Sequence, residues 1–121
     1  MSIALKISLS ENYHFFYSCS AENELVKRLE IEFTSVTKLV ETLTDTKIEI
    51  EGKHKEALEN AKNATKPEDK AKYLKTANSL QKDINNYTDQ VAVATIQYEQ
   101  LKRAKTDAEA KLKECLEKNP K

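Results

Sequence analysis

Apolar residues recur at alternating intervals of three and four along residues 77–115, and this spacing constrains the fold more than any other feature of the sequence. The members of this stripe are Ala77, Leu80, Ile84, Tyr87, Val91, Ala94, Tyr98, Leu101, Ala108, Leu112 and Cys115. Lys105 is the one polar residue that interrupts it. A stripe sustained over about five heptads is typical of a helix that packs as a coiled coil.

Residues 21–64 carry a second, less regular apolar stripe. Its members are Leu25, Leu29, Phe33, Val36, Val40, Leu43 and Ile50. Ser20 is placed to act as the N-cap, and Glu22 and Glu24 put carboxylates in the first turn, where the helix dipole favours them. The sequence therefore predicts a first long helix over residues 21–64 and a second over residues 68–118.

Residues 65–69 form the strongest break between the two stripes. Pro67 suits the first turn of a new helix, and Thr65 with Glu68 fits a capping box. Helices joined by so short a turn pack antiparallel, and residues at the same level then have numbers that add to about 134. One Gly and two Pro in 121 residues are too few turn formers for a sandwich, a barrel or a doubly wound fold. We predict a single all-α domain over residues 1–121: a long antiparallel, coiled-coil-like helical hairpin with a short N-terminal segment, packed as a bundle.

Gly52 lies in the middle of the first predicted helix. A glycine in a helix interior costs about 1 kcal/mol relative to alanine. Asn85 and Asn86 fall at nearly the same level of the second helix. One interpretation is a soft spot that the helix tolerates, and the other is a break that would turn the hairpin into a three-helix arrangement.

The N-terminal segment, residues 1–20, is poor in charge and rich in apolar residues. Its first apolar residues alternate as in a strand, but Leu5, Leu9 and Phe16 also fall at helical spacing. A lone strand would have no sheet to join, so we predict a short helix within residues 3–19. The segment holds an aromatic cluster made of Tyr13, Phe15, Phe16 and Tyr17.

The sequence has two cysteines and two histidines, and none of them has the spacing of a zinc site. The predicted register places Cys19 opposite Cys115. Free thiols in a cytosolic protein are the favoured interpretation, and a disulfide at the open end of the hairpin is the alternative. A catalytic Cys19–His14 pair is a third interpretation, which is not favoured because no third residue that would orient the histidine is evident. His54 falls on the first stripe, where packing at the helix interface is favoured over metal binding.

Other common functional signatures are lacking in the sequence. A single glycine cannot form a phosphate-binding loop, and the lysine-rich stretches are interrupted by acidic residues. We therefore expect no enzyme activity, cofactor, metal, nucleic-acid or membrane partner. The first residues lack the pattern of a secretory signal, and no stretch is as apolar as a membrane span. A cytoplasmic location is expected, and delivery by a specialised secretion system remains open.

The middle of the hairpin carries more apolar surface than two packed helices need. From Ile84 to Tyr98 the only charge is Asp89, and Val93 and Ile96 lie outside the stripe. On the first helix, Leu39 is likewise an apolar residue that lies outside the stripe. We call Leu39, Val93 and Ile96 the belt. A helix that is apolar on two faces must be covered on both, either by the N-terminal segment or by a second copy in a homodimer.

The belt and the aromatic cluster point to protein binding. We expect a regulator that inhibits, adapts or chaperones a partner such as an enzyme or a secreted effector, with a structural spacer or assembly subunit as the alternative. The predicted architecture and composition resemble those of type III secretion stalk proteins and of tubulin-binding cofactor A. The chain carries no motif of either family, and none is assigned.

Overall fold

Two long α-helices, packed against each other, make up the part of the chain that the computed structural model describes, residues 19–118. Helix α1 spans Ser20–Asn63 and helix α2 spans Pro67–Lys118. Residues 64–66 join them, and no strand occurs between residues 19 and 118. The prediction of an all-α helical hairpin is thus confirmed. The short helix predicted within residues 3–19 falls almost wholly outside the described residues.

Both helices begin one residue away from the predicted caps. The backbone N–H of Asn23 donates to the carbonyl oxygen of Cys19 at 2.9 Å, so Cys19, not Ser20, is the N-cap of α1. In α2 the N–H of Lys70 donates to the carbonyl oxygen of Lys66 at 3.0 Å, so Lys66 is the N-cap. The capping box predicted for Thr65 is therefore wrong. The reason is that the helical region is disfavoured for a residue before proline, so Lys66 stays outside the helix and α2 starts at Pro67.

The described residues pack as two compact units, which we name by their most distinctive feature. The turn unit is Val36–Tyr98. The disulfide unit takes its described residues from 19–35 and 99–118.

In the turn unit, most of the side chains shielded from solvent form a seam that keeps the three-four spacing on both helices. It includes positions 36, 40, 43, 47, 50, 54, 57 and 61 of α1, and positions 73, 77, 80, 84, 87, 91, 94 and 98 of α2. Each α1 position has an α2 counterpart whose number brings the pair to 134, which is the predicted register. The spacing predicted for α2 therefore accounts for every shielded residue of that helix in this unit but Tyr73.

Close to residues 64–66, alanine occupies several seam positions. Ala57, Ala61 and Ala77 are 6%, 3% and 2% exposed, which makes them core residues. Ala57 and Ala61 were not predicted to be in the core, because alanine is weakly apolar and occurs on any helix face. Their small side chains allow the helix backbones to approach closely, so these positions are covered without bulky residues.

In the disulfide unit, the seam is shorter and more polar. Its α1 positions are 19, 22, 26, 29 and 33, and its α2 positions are 101, 105, 108, 112 and 115. Val26 and Ala108 are its buried apolar residues, 8% and 3% exposed. Val26 was not predicted to be in the core. The predicted Leu25 is half-buried beside the seam.

Helix α1 runs through Gly52 without interruption. The three-helix alternative is therefore wrong. Gly52 is exposed, and a Cβ atom added there would have no neighbouring heavy atom within 4 Å. The glycine lies on the outer face of a regular helix, where it lowers helix propensity without changing the path of the chain.

Candidate protein-binding surface

The three belt residues all lie in the turn unit and are exposed to solvent. Leu39 is 44% exposed, Val93 57% and Ile96 58%. The aromatic residues that were predicted to join them, Tyr13, Phe15, Phe16 and Tyr17, lie outside the described residues. The surface that can be described is thus the belt and what surrounds it.

An open groove of about 340 Å³ runs beside the seam at the level of the belt. Its lining residues are Leu39, Leu43, Asp89, Gln90, Val93, Ala94 and Gln97. Four of these residues are apolar, and the other three supply two amides and one carboxylate. Ile96 does not line the groove. The arrangement can receive an apolar side chain and offer hydrogen bonds to the polar groups around it.

Heptad position explains why these residues share one flank of the hairpin. Leu39 immediately precedes a seam position of α1, and Gln90 and Gln97 immediately precede seam positions of α2. In an antiparallel pair, positions that precede the seam on both helices meet on the same flank. Several positions that follow the seam, on the opposite flank, carry threonine at this level, among them Thr44 and Thr88. Leu39 and Val93, which both precede seam positions, therefore share one flank, whereas Ile96 lies two residues from the seam positions on either side of it, on the outer face of α2.

The structure also exposes large apolar side chains that the sequence analysis did not select. They are Ile31, Ile48, Leu58, Leu74 and Leu116. Leu116 lines an open groove of about 410 Å³ in the disulfide unit, with Val26 and Leu112 as its other apolar residues and charged groups around them. Single exposed apolar residues are ordinary on protein surfaces. Counting apolar residues that fall outside the seam would have found all five.

The cysteines form a disulfide, so the free-thiol interpretation is wrong and its alternative is right. The Sγ atoms of Cys19 and Cys115 are 2.08 Å apart, and their Cα atoms are 5.9 Å apart. That Cα separation lies within the range that a disulfide can bridge. The predicted register already placed the two residues at one level. Free thiols were favoured only because a cytosolic location was expected. A bonded Cys19 has no thiolate for a catalytic pair with His14, which itself lies outside the described residues.

Charged residues occupy several seam positions, and the structure shows how most are accommodated. The Nζ atom of Lys105 lies 5.7 Å from the ring centroid of Phe33 and 3.3 Å from Oε2 of Glu109. The side chain is 26% exposed, as expected for a lysine at a seam position whose aliphatic stem is shielded while its ammonium group stays near solvent. In the turn unit, Nζ of Lys47 lies 4.0 Å from Oε2 of Glu51.

Glu22 is the exception. Its Oε1 atom is buried and has no hydrogen-bond partner.

No group of three or more His, Cys, Asp or Glu among residues 19–118 is placed to hold a metal ion. Neither described helix combines the length and apolar character needed to cross a membrane.

No family model, curated protein or solved structure matches this chain, so its function has to be argued from its own residues.

Proposed function

We propose that the chain is a non-enzymatic, protein-binding helical module that regulates a partner by inhibiting, adapting or chaperoning it. The observation that carries this proposal is the exposed apolar surface of the turn unit, in which Leu39 and Val93 line an open groove and Ile96 is exposed outside it. No cofactor, nucleic acid or membrane is part of the proposal.

The groove suits a helical or extended segment of another protein. Full burial of a valine or isoleucine side chain stabilises a complex by roughly 1.5–3 kcal/mol, of which more than half remains available at Val93 and Ile96. An amphipathic helix places apolar side chains in such a groove at intervals of three and four. The amides of Gln90 and Gln97 can pair with its polar groups. The aromatic residues Tyr13, Phe15, Phe16 and Tyr17 remain predicted additional anchors.

The test compares three forms of the chain as bait in an extract of the native host. The test variant is Leu39→Asp/Val93→Asp, because both side chains line the groove and are exposed. The matched control is Ile48→Asp, because Ile48 is 59% exposed on the same unit but outside the groove. We expect wild type and control to capture one protein, with affinity measured on purified components falling at least about tenfold for the test variant. Equal affinity for all three forms contradicts the proposal.

A second copy of the chain is the partner that we propose for self-association. Two hairpins joined through the belt would form a four-helix bundle related by a twofold axis. Sedimentation equilibrium should give a dimer for the wild type and a monomer for Val93→Asp/Ile96→Asp. A wild-type monomer at micromolar concentration contradicts the homodimer. A stable assembly that captures no other protein supports the structural spacer instead.

Two cellular locations are proposed for the chain, the cytoplasm and an oxidising compartment. The sequence favours the cytoplasm, whereas a disulfide between Cys19 and Cys115 is typical of oxidising compartments. Trapping free thiols in intact host cells distinguishes them. Alkylation of both cysteines supports a cytoplasmic location, and protection of both supports an oxidising one.

A further inference from the structure

The disulfide closes the unit whose own seam is least able to hold the helices together. Of the five levels between Cys19 and Phe33, one is the disulfide itself and two others carry a charged residue, Glu22 or Lys105. Apolar seam contacts are what stabilise helix pairs of this kind. Only the levels of Val26 and Phe33 have apolar residues on both helices.

Glu22 marks the weakest of these levels. It lies one helical turn after Cys19, where the three-four spacing turns its side chain toward α2 at the level of Leu112. Its Oε1 atom is buried without a hydrogen-bond partner, and a buried polar group in that state opposes closure of the unit. Opening of the first turns of α1 would return the carboxylate to water. The closed state therefore depends on a covalent restraint close by.

We propose that the Cys19–Cys115 disulfide is a redox-controlled clamp: a dithiol reductant opens the disulfide unit while the turn unit remains helical and packed. Both cysteines are half-buried, so a small dithiol has access to the sulfur atoms. The turn unit differs because its apolar seam is longer and residues 64–66 connect its two helices directly. The clamp stands independently of the protein-binding proposal, since the belt lies in the other unit.

The chemistry is ordinary thiol–disulfide exchange. One thiolate of the dithiol attacks a sulfur atom of the pair, the S–S bond breaks, and the released cysteine thiolate takes up a proton. The second thiolate of the reductant then attacks the mixed disulfide and releases the other cysteine. Two electrons and two protons pass to the chain, and the reductant ends as a disulfide.

Hydrogen exchange read by mass spectrometry on the whole chain tests the clamp. Dithiothreitol should raise exchange in residues 24–33 and 105–116 by about tenfold or more, and in residues 57–80 by less than about threefold. The double variant Cys19→Ser/Cys115→Ser should reproduce the reduced pattern and should not respond to dithiothreitol. Unchanged exchange after reduction, or a uniform rise that includes residues 57–80, overturns the proposal.

A second pair of variants tests the role of the seam charge. Glu22→Leu replaces the orphaned carboxylate with an apolar side chain at a seam position. Glu24→Leu makes the same chemical change at an exposed position in the same turn. In the reduced state, Glu22→Leu should slow exchange of residues 24–33 at least about threefold relative to reduced wild type, and Glu24→Leu should not. An equal effect of both variants, or none, overturns the argument that Glu22 weakens the unclamped unit.

Discussion

Replacing Gly52 with alanine should stabilise the protein. Gly52 lies in the interior of α1, is exposed, and has no heavy atom within 4 Å of the place where a Cβ would stand. The substitution therefore adds no contact and no clash, and its effect is the difference in helix propensity, about 1 kcal/mol. With an unfolding entropy of roughly 2 cal/mol/K per residue over about 100 residues, this corresponds to a rise of about 5 °C in Tm.

Thermal and urea unfolding, followed by circular dichroism under oxidising conditions, measures the effect. Ala92→Gly is the matched control, because Ala92 is an exposed position inside α2 of the same unit, and it should lose about the same free energy. A Gly52→Ala variant that is unchanged or less stable, beside a destabilised Ala92→Gly, would refute a regular helix at Gly52. The kinked first helix would then have to be reconsidered.

Three further predictions concern the helix start and the seam. Lys66→Asp places a preferred capping side chain at the N-cap of α2 and should raise the free energy of unfolding by about 1 kcal/mol, measured by urea unfolding against Lys66→Ala. Ala77→Leu overfills a position that is 2% exposed and should lower the free energy of unfolding by about 1–3 kcal/mol. The same change at the exposed Ala71 should have little effect on the urea midpoint. A double-mutant cycle of Phe33→Leu and Lys105→Met should yield a coupling energy of about 0.5–1 kcal/mol, and a value near zero would mean that the ammonium–ring contact contributes nothing.

The sequence predicts α2 better than α1 because the two helices fill their seams differently. The α2 seam is almost wholly apolar, so its spacing can be seen directly. In α1 the same spacing passes through Lys47, Ala57 and Ala61, whose types do not mark a buried position. The complete α1 seam is found only by pairing each α2 seam position with the α1 residue at the same level of the hairpin. The missed residues were thus encoded in the pairing of the helices and not in α1 alone.

Other features depended on information that residue types do not carry. The N-cap at Lys66 follows from a steric restriction by Pro67, which outweighed the capping preference of Thr65. Predicting the disulfide needs the distance between the two cysteines, which the register gave, and the redox state of their surroundings, which no residue type reports. The belt could be selected from the sequence, but the groove that Leu39 and Val93 line became evident only in the structure.

The short link between the helices also has a consequence for how the chain folds. Residues 64–66 bring the nearest parts of α1 and α2 together at little cost in loop-closure entropy, and that cost grows with sequence separation. We therefore expect the hairpin to close from Ala61 and Tyr73 outward, with Cys19 and Cys115, 96 residues apart, meeting last. Thiol trapping during refolding should find oxidised cysteines only after the helical signal is complete. The disulfide would then mark each molecule that has finished folding.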